Sequence, residues 1–91
     1  MGRVTVKFYQ DIRDAAGVPS VEIEIEGPVP LTFFLENLAG RFEKLKPLLA
    51  SLQTERAAAI VLVNGRAPIP ISSSVLVGGE EISILPMVEG G

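Results

Sequence analysis

The chain contains no cysteine and no histidine among its 91 residues. Without cysteine it has no disulfide, no thiolate nucleophile and no cysteine-based metal site. Without histidine it lacks the commonest general base and the commonest metal ligand. Ser-His-Asp and Cys-His catalytic devices are therefore excluded within this chain. We expect a protein that is not itself an enzyme, binds no metal and holds no permanent cofactor.

Long apolar runs and clusters of positive charge are also missing. The longest apolar run, Ala57 to Val63, has seven residues, against the roughly 20 that cross a bilayer. The net charge is −3 and the eight basic residues are scattered, whereas phosphate binding needs clustered Lys and Arg. The N-terminus leads directly into strand-like alternation, so we expect no signal peptide. These absences predict a cytoplasmic protein that binds neither membranes nor nucleic acid.

Two N-terminal segments alternate apolar and polar residues, the period of a half-buried strand. The first covers residues 4–9. The second covers residues 21–26, in which Glu22, Glu24 and Glu26 share one face. Lys7 could lie opposite one of these glutamates if the strands are antiparallel. We interpret the glutamate row as a solvated sheet face rather than an acidic docking patch.

A helix is predicted after Pro30. Thr32 is its expected N-cap. Apolar residues recur at spacings of three and four, which indicates one buried stripe: Leu31, Phe34, Leu35, Leu38, Phe42 and Leu45. Gly40 weakens a helix by roughly 1 kcal/mol relative to Ala, so close packing or a bend is expected there. Pro47 either ends this helix or opens a second short one.

Shorter elements follow the helix. The apolar run at residues 60–63 favours a central strand covered on both sides, and Asn64-Gly65 is a favoured hairpin turn. Pro68 and Pro70 confine the next predicted strand, residues 66–71, to an edge. Residues 82–85 form the last strand. The order predicts a two-layer α+β domain over residues 1–86. If the first and last strands are central neighbours, they run parallel.

The remaining residues, 87–91, form a predicted flexible tail that ends in Gly90-Gly91. Glycines lack Cβ, so this backbone could pass through a channel too narrow for other residues. They also leave the terminal carbonyl carbon unhindered. A carboxylate is inert until its oxygen becomes a good leaving group, so another enzyme would have to activate it, most simply as an acyl-adenylate. Flexibility would let the terminus visit several active sites.

Four segments resemble the molybdopterin synthase small subunit and its ubiquitin-like sulfur-carrier relatives, the MoaD/ThiS family. They are Val6-Lys7-Phe8-Tyr9 with Ile12-Arg13-Asp14-Ala15-Ala16-Gly17, Val61-Leu62-Val63-Asn64-Gly65-Arg66, Gly79-Glu80-Glu81-Ile82-Ser83-Ile84, and Leu85-Pro86-Met87-Val88-Glu89-Gly90-Gly91. They span essentially the whole chain in the family's order. The resemblance implies a β-grasp fold, with a mixed sheet of four to five strands packed on one main helix.

The resemblance also implies a reaction cycle. A ubiquitin-activating-type adenylating enzyme would use ATP to form an acyl-adenylate on Gly91, and a persulfide donor would convert this to a thiocarboxylate. Gly90 would thread the channel of the partner, which in the molybdopterin pathway is the large synthase subunit. Met87 and Val88, with the apolar face of the sheet, are the expected partner contacts. Two departures from the family pattern are Glu80, where Asp is common, and Met87, where a second Pro is common.

Three classes of function fit the residues. The first is a sulfur carrier, preferably for molybdopterin and alternatively for thiamine, cysteine or tRNA thiolation. The second is a protein modifier whose Gly91 forms isopeptide bonds with lysines. The third is an interaction module whose tail has no chemical role.

Overall fold

A computed structural model describes residues 2–52, 59–68 and 70–86. Their elements, in chain order, are β1 (Gly2–Phe8), α1 (Gln10–Ala16), β2 (Ser20–Ile25), β3 (Val29–Pro30), α2 (Leu31–Arg41), a 3₁₀ turn (Glu43–Leu45), α3 (Lys46–Ser51), β4 (Ala59–Val63), a second 3₁₀ turn (Ile71–Ser73), β5 (Val75–Leu76) and β6 (Glu81–Pro86). Four strands form one sheet in the order β2-β1-β6-β4, and β3 pairs with β5 separately. This mixed sheet with its helices confirms the predicted α+β class.

The first and last strands lie side by side at the centre of the sheet. β1 and β6 run parallel, with Thr5 opposite Glu81 and Phe8 opposite Ile84. β2 is antiparallel to β1, and β4 is antiparallel to β6. The prediction of parallel central neighbours is confirmed.

The core forms where one face of the sheet meets the apolar stripe of α2. Alternation buries Val4, Val6 and Phe8 on β1, while Leu31 and Leu38 of α2 are fully buried. Burying one such side chain contributes about 1.5–3 kcal/mol. Four members of the predicted stripe, Leu31, Phe34, Leu35 and Leu38, form the face that holds the helix on the sheet. The other two, Phe42 and Leu45, lie beyond the helix, because α2 already ends at Arg41.

The start of α2 differs from the prediction. The helix begins at Leu31 after Pro30, so Thr32 lies inside the first turn and is not the N-cap. The backbone N–H of Leu31 instead donates to the carbonyl of Ser74 at 2.9 Å. This bond joins the start of α2 to the residue just before β5, and no side chain caps the helix.

Two further expectations about the helices are now decided. Pro47 lies in the first turn of α3, so it opens a second short helix. Close packing or a bend was expected at Gly40, and close packing is wrong, because a Cβ built there would meet no atom of another element within 4 Å. The helix ends one residue later, at Arg41, where the backbone leaves the helical conformation. The segment after β1 was not predicted as a helix, yet it forms α1, which Gly17 ends with a φ of 82°.

The surface charges pair differently from the expectation. Lys7 lies opposite Ser20 rather than a glutamate of β2, and its Nζ lies 3.3 Å from a carboxylate oxygen of Glu81 on β6. Arg3 takes the β2 partners instead, at 3.3 Å from Glu22 and 3.5 Å from Glu24. The parallel neighbour β6 brings the nearer acid to Lys7. These pairs are exposed, so each contributes about 0–1 kcal/mol.

The strand after the hairpin was also predicted wrongly. Asn64 and Gly65 both have positive φ, 52° and 81°, as the predicted turn requires. Only one bridge follows it in the described residues, between Val63 and Arg66, because Pro68 and Pro70 have no N–H to donate. β4 is consequently an edge strand of the described sheet, not a central one.

Candidate functional site

The C-terminal end of β6 lies beside the end of β1, where the chain turns out of the sheet. β1 pairs with β6 only as far as Ile84. Tyr9 still donates its backbone N–H to the carbonyl of Ile84 at 3.2 Å, and Gln10 then turns the chain with a φ of 53°, uncommon for a residue other than glycine. Leu85 and Pro86 pair with β4 alone. One neighbouring strand, rather than two, therefore holds the end of β6.

Three apolar side chains lie together on the outer face of the sheet at this end. Ile60 is directly opposite Leu85 across the β4–β6 ladder. Leu62 follows Ile60 by two residues and shares its face, since side chains alternate along a strand. Ile60 is 40% exposed, and the other two are half-buried. We call Ile60, Leu62 and Leu85 the exit patch.

Polar side chains border the exit patch towards the middle of the sheet. Ser83 lies opposite Leu62 on one side and opposite Lys7 on the other. Lys7 is paired with Glu81 further along the same face. The outer face thus changes from apolar near Pro86 to charged near the start of β6. An apolar centre with a polar border is typical of a protein docking surface.

The start of β6 is fixed by a turn that binds its own carboxylate. Glu80 accepts hydrogen bonds at 2.7 Å from the backbone N–H groups of Val77 and Gly78. Burial acts to raise the pKa of Glu80, but these bonds and one from its own N–H outweigh it and lower the pKa below its ordinary value. A Cβ on Gly2 would lie 2.5 Å from Cα of Gly78, so the two backbones cross in contact.

The described residues contain neither buried polar side chains nor a metal-ligand cluster. None of their polar or charged side chains is buried, and no group of three or more acidic side chains among them could hold a metal ion. None of their helices is long and apolar enough to cross a membrane. What this part of the chain offers is an anchored strand end beside an apolar patch.

The site residues predicted from the sequence are Met87, Val88, Gly90 and Gly91, and all four lie outside the described residues. Their roles, and the division into a domain over residues 1–86 and a tail, stay predictions. The described residues end at Pro86, the last residue of the predicted domain.

The sequence reasoning named the apolar face of the sheet but not the residues of the exit patch. The run at residues 60–63 is uninterrupted, so its outward-facing members could not be told from its buried ones. The alternation of Ser83 and Leu85 with the buried Ile82 and Ile84 was the available signal. Pairing that strand antiparallel with residues 60–63 would have placed Ile60 beside Leu85.

Comparison with known protein families identifies the family of this chain. The sequence profile of the ThiS family matches residues 6–91, nearly the whole chain. The chain belongs to the ThiS family. The ThiS match continues through Gly90 and Gly91. It confirms the resemblance and places the chain among small ubiquitin-like sulfur-carrier proteins.

Solved structures similar to this ThiS chain share its fold along almost the full length. A Pyrococcus furiosus protein named as a candidate molybdopterin converting factor, subunit 1, is 28% identical, with a TM-score of 0.77, over 97% of this chain and 100% of its own. The small archaeal modifier protein 1 of Methanosarcina acetivorans is 26% identical, with a TM-score of 0.74, over 100% and 98%.

A third similar structure comes from the BexX/CysO complex of Amycolatopsis orientalis. The matching chain is 25% identical, with a TM-score of 0.68, over 97% of this chain and 99% of its own. No curated protein sequence matches this ThiS chain. The likeness to these structures confirms the β-grasp fold. The three are named as a converting-factor subunit, a modifier protein and a member of the BexX/CysO complex, so they leave the pathway open.

Proposed function

We propose that this ThiS-family chain is a sulfur carrier whose Gly91 carboxylate is converted to a thiocarboxylate, and that it serves as the small subunit of molybdopterin synthase. The observation that carries the proposal is the family match through Gly91, combined with a central strand that stops five residues before that glycine. The pathway is supported by the 28% identity to the candidate converting-factor subunit of Pyrococcus furiosus.

The proposed chemistry needs no side chain of this protein. The Gly91 carboxylate attacks ATP within a ubiquitin-activating-type enzyme, which forms an acyl-adenylate and releases pyrophosphate. A persulfide then attacks the acyl carbon and displaces AMP, and a thiol reduces the resulting acyl disulfide to the thiocarboxylate. ATP is thus a substrate of the partner enzyme and not a cofactor of this chain. The need for ATP and a persulfide enzyme agrees with a cytoplasmic location.

The exit patch is the proposed docking surface for both partners. It lies on the outer face beside Pro86, so a partner that covers Ile60 and Leu85 is positioned to receive the residues that follow. Met87 and Val88 would continue this contact, and Gly90 would pass through the narrowest part of the channel. Apolar anchors surrounded by polar groups supply most of the binding energy in such interfaces.

The decisive experiment is intact-mass spectrometry after incubation with the cognate adenylating enzyme, ATP and a persulfide donor. Replacement of one oxygen by one sulfur is expected, located to Gly91 by fragmentation. Omission of ATP is the control and should leave the mass unchanged. Molybdopterin formation after addition of the large synthase subunit and the pterin precursor then tests the pathway. Sulfur on Gly91 without molybdopterin would retain the carrier and reject this branch.

A second function is favoured by the similarity to the small archaeal modifier protein 1 of Methanosarcina acetivorans. In that case Gly91 would be joined to lysine amines of other proteins through the same acyl-adenylate. Lysine adducts carrying the C-terminal residues, found by digestion and mass spectrometry, would support this function. An unmodified chain with all components present would contradict both functions.

A further inference from the structure

The second edge of the sheet, on β2, presents free backbone groups. β2 has one neighbour in the described sheet, β1. The N–H of Phe8 donates to Pro19 at 2.9 Å, whereas that of Thr5 donates to Glu80, on the other side of β1. Hydrogen-bonded pairs alternate along an antiparallel ladder. In the register of Thr5 with Glu22, the N–H and C=O groups of Glu22 and Glu24 consequently point away from β1.

An open groove runs beside this edge, between β2 and α2. Its volume is about 470 Å³. Five apolar residues line it, Ile23, Ile25, Val29, Phe33 and Phe34, together with the polar or charged residues Glu24, Glu26, Asn37 and Arg41. Phe33 is 56% exposed although it belongs to the helix that covers the sheet. An added strand on β2 would place every second side chain towards these residues, because side chains alternate across a strand.

The opposite face of β2 is acidic. The side chains of Glu22 and Glu24 are 59% and 77% exposed. β1 already complements this face. It alternates the buried Val4 and Val6 with the outward residues Arg3, Thr5 and Lys7, and Arg3 contacts both glutamates. A strand added to the free edge of β2 would have the apolar groove on one face and Glu22 and Glu24 on the other. A segment that fits this edge therefore alternates apolar side chains with Lys or Arg.

A second copy of this chain fits the edge poorly. Pairing of β2 with β2 would bring its glutamates opposite one another, and like charges in that position are destabilising. The edge of β4 offers less, because Arg66 exchanges both backbone hydrogen bonds with Val63, at 2.8 and 3.1 Å. Among the described strands, β2 has the more accessible edge for a different protein.

We infer that the free edge of β2 accepts an extended segment of a partner protein as an additional strand, with alternate apolar and basic side chains. Main-chain hydrogen bonds would supply affinity and the groove beside Phe33 would supply specificity. β2 lies two strands from β6, about 10 Å across the sheet. A partner held here leaves the exit patch open, so the inference does not depend on the chemistry of Gly91.

The probe is a blocked peptide, Val-Lys-Val-Arg-Val-Lys, titrated into the isotope-labelled full chain and followed by amide NMR. The largest shifts are expected at residues 20–25 and at Phe33. A peptide of the same composition with its three valines placed together is the matched control and should bind at least tenfold more weakly. Equal binding of the two peptides, or shifts centred on β4 or the exit patch, would overturn the inference.

Two variants separate backbone pairing from charge. Glu22→Ala and Glu22→Pro both lose the contact with Arg3, but only the proline removes the N–H that faces the free edge. No β1–β2 bond uses that N–H, so the strand tolerates proline there. The proline variant should bind the peptide at least tenfold more weakly than the alanine variant. Equal affinities of two folded variants would reject strand addition.

Two modified peptides test backbone pairing with β2 on the unaltered protein. This test is valid even if the proline variant does not fold. One carries N-methyl groups on its valines and the other on its basic residues. Successive N–H groups along a strand point to opposite edges of that strand. Only one of the two peptides should therefore lose binding, by at least tenfold. If both retain the affinity of the parent peptide, the segment does not bind as a strand.

Discussion

At the scale of single residues, Glu80 links protonation to folding. Its carboxylate accepts the N–H groups of Val77 and Gly78, and its pKa is lowered by these bonds against the effect of burial. A group whose pKa is lower in the folded state stabilises the fold above its unfolded pKa. That contribution is lost as the pH falls through the folded pKa.

Glu80→Gln is therefore expected to lower the free energy of unfolding at neutral pH by about 1 kcal/mol. This is less than the roughly 1.5–3 kcal/mol of a bond to a charged group, since the site is partly exposed. The difference from the parent protein should shrink as the pH falls below the ordinary glutamate range. Urea unfolding at neutral and several acid pH values measures it. Glu36→Gln, an exposed control, should show no such trend, and a pH-independent difference at Glu80 would contradict the linkage.

Gly91 acts at the same scale but on chemistry instead of stability. Its deletion moves the carboxylate one residue inward and should abolish sulfur loading, while the melting temperature stays within about 2 °C because few buried atoms are expected to be lost. Glu89→Gln alters the same predicted tail without moving the carboxylate and should load normally. Mass spectrometry and thermal unfolding give the two readouts. Sulfur loading of the deletion variant would refute the role of Gly91.

At the scale of secondary-structure elements, substitution by alanine should change the stability in opposite directions at two glycines that both have free space around them. A Cβ on Gly40 or on Gly17 would meet no atom within 4 Å, but only Gly17 has a positive φ, 82°. Gly40→Ala should stabilise the protein by about 0.5–1 kcal/mol, because alanine loses less conformational freedom within a helix. Gly17→Ala should destabilise it by about 1–2 kcal/mol, the cost of the left-handed conformation.

Thermal unfolding of both variants checks this pair. A change of 1 kcal/mol corresponds to roughly 4–8 °C in a domain of this size, so the two melting temperatures should move in opposite directions from the parent value. Destabilisation by Gly40→Ala would indicate a local requirement for glycine that the open surroundings do not show.

The elements that the sequence predicted correctly are those whose signal is local. The alternation around Val4 and Val6, the stripe of α2 and the Asn64-Gly65 turn each follow from spacing or backbone preference. Its errors came from tertiary contacts. Pro30 pairs with Val75 of β5 and α2 starts directly after it, so Thr32 is not the N-cap, and β6 brings Glu81 to Lys7. For the site, the family resemblance implied an apolar face of the sheet, but only the strand register identifies its members.

At the scale of the whole molecule, the sheet presents distinct surfaces at its two sides. The exit patch lies on β4 and β6, whereas the acidic pair Glu22 and Glu24 lies on β2. Ile60→Glu should reduce the rate of sulfur loading at limiting adenylating enzyme by at least tenfold, since it places a charge at the centre of the proposed interface. The melting temperature should change little, as the side chain is 40% exposed.

Val75→Glu is the matched control, because Val75 is 54% exposed but belongs to the separate β3–β5 sheet. It should load sulfur at the parental rate. Steady-state kinetics with varied carrier concentration separates the effects, and the Ile60 variant should show mainly a raised KM. Equal kinetics for the two variants would remove the exit patch from the docking surface.

The parallel pairing of β1 with β6 has a mechanical consequence. A partner that grips the C-terminus and pulls along β6 loads the ladder from Thr5–Glu81 to Phe8–Ile84 in shear. Hydrogen bonds loaded in shear share the force and must rupture together, whereas bonds at a peeling end open one at a time. A pulling force on the C-terminus is thus distributed over the β1–β6 pairing at the centre of the sheet. An enzyme that draws the terminus inward is therefore expected to leave the carrier folded.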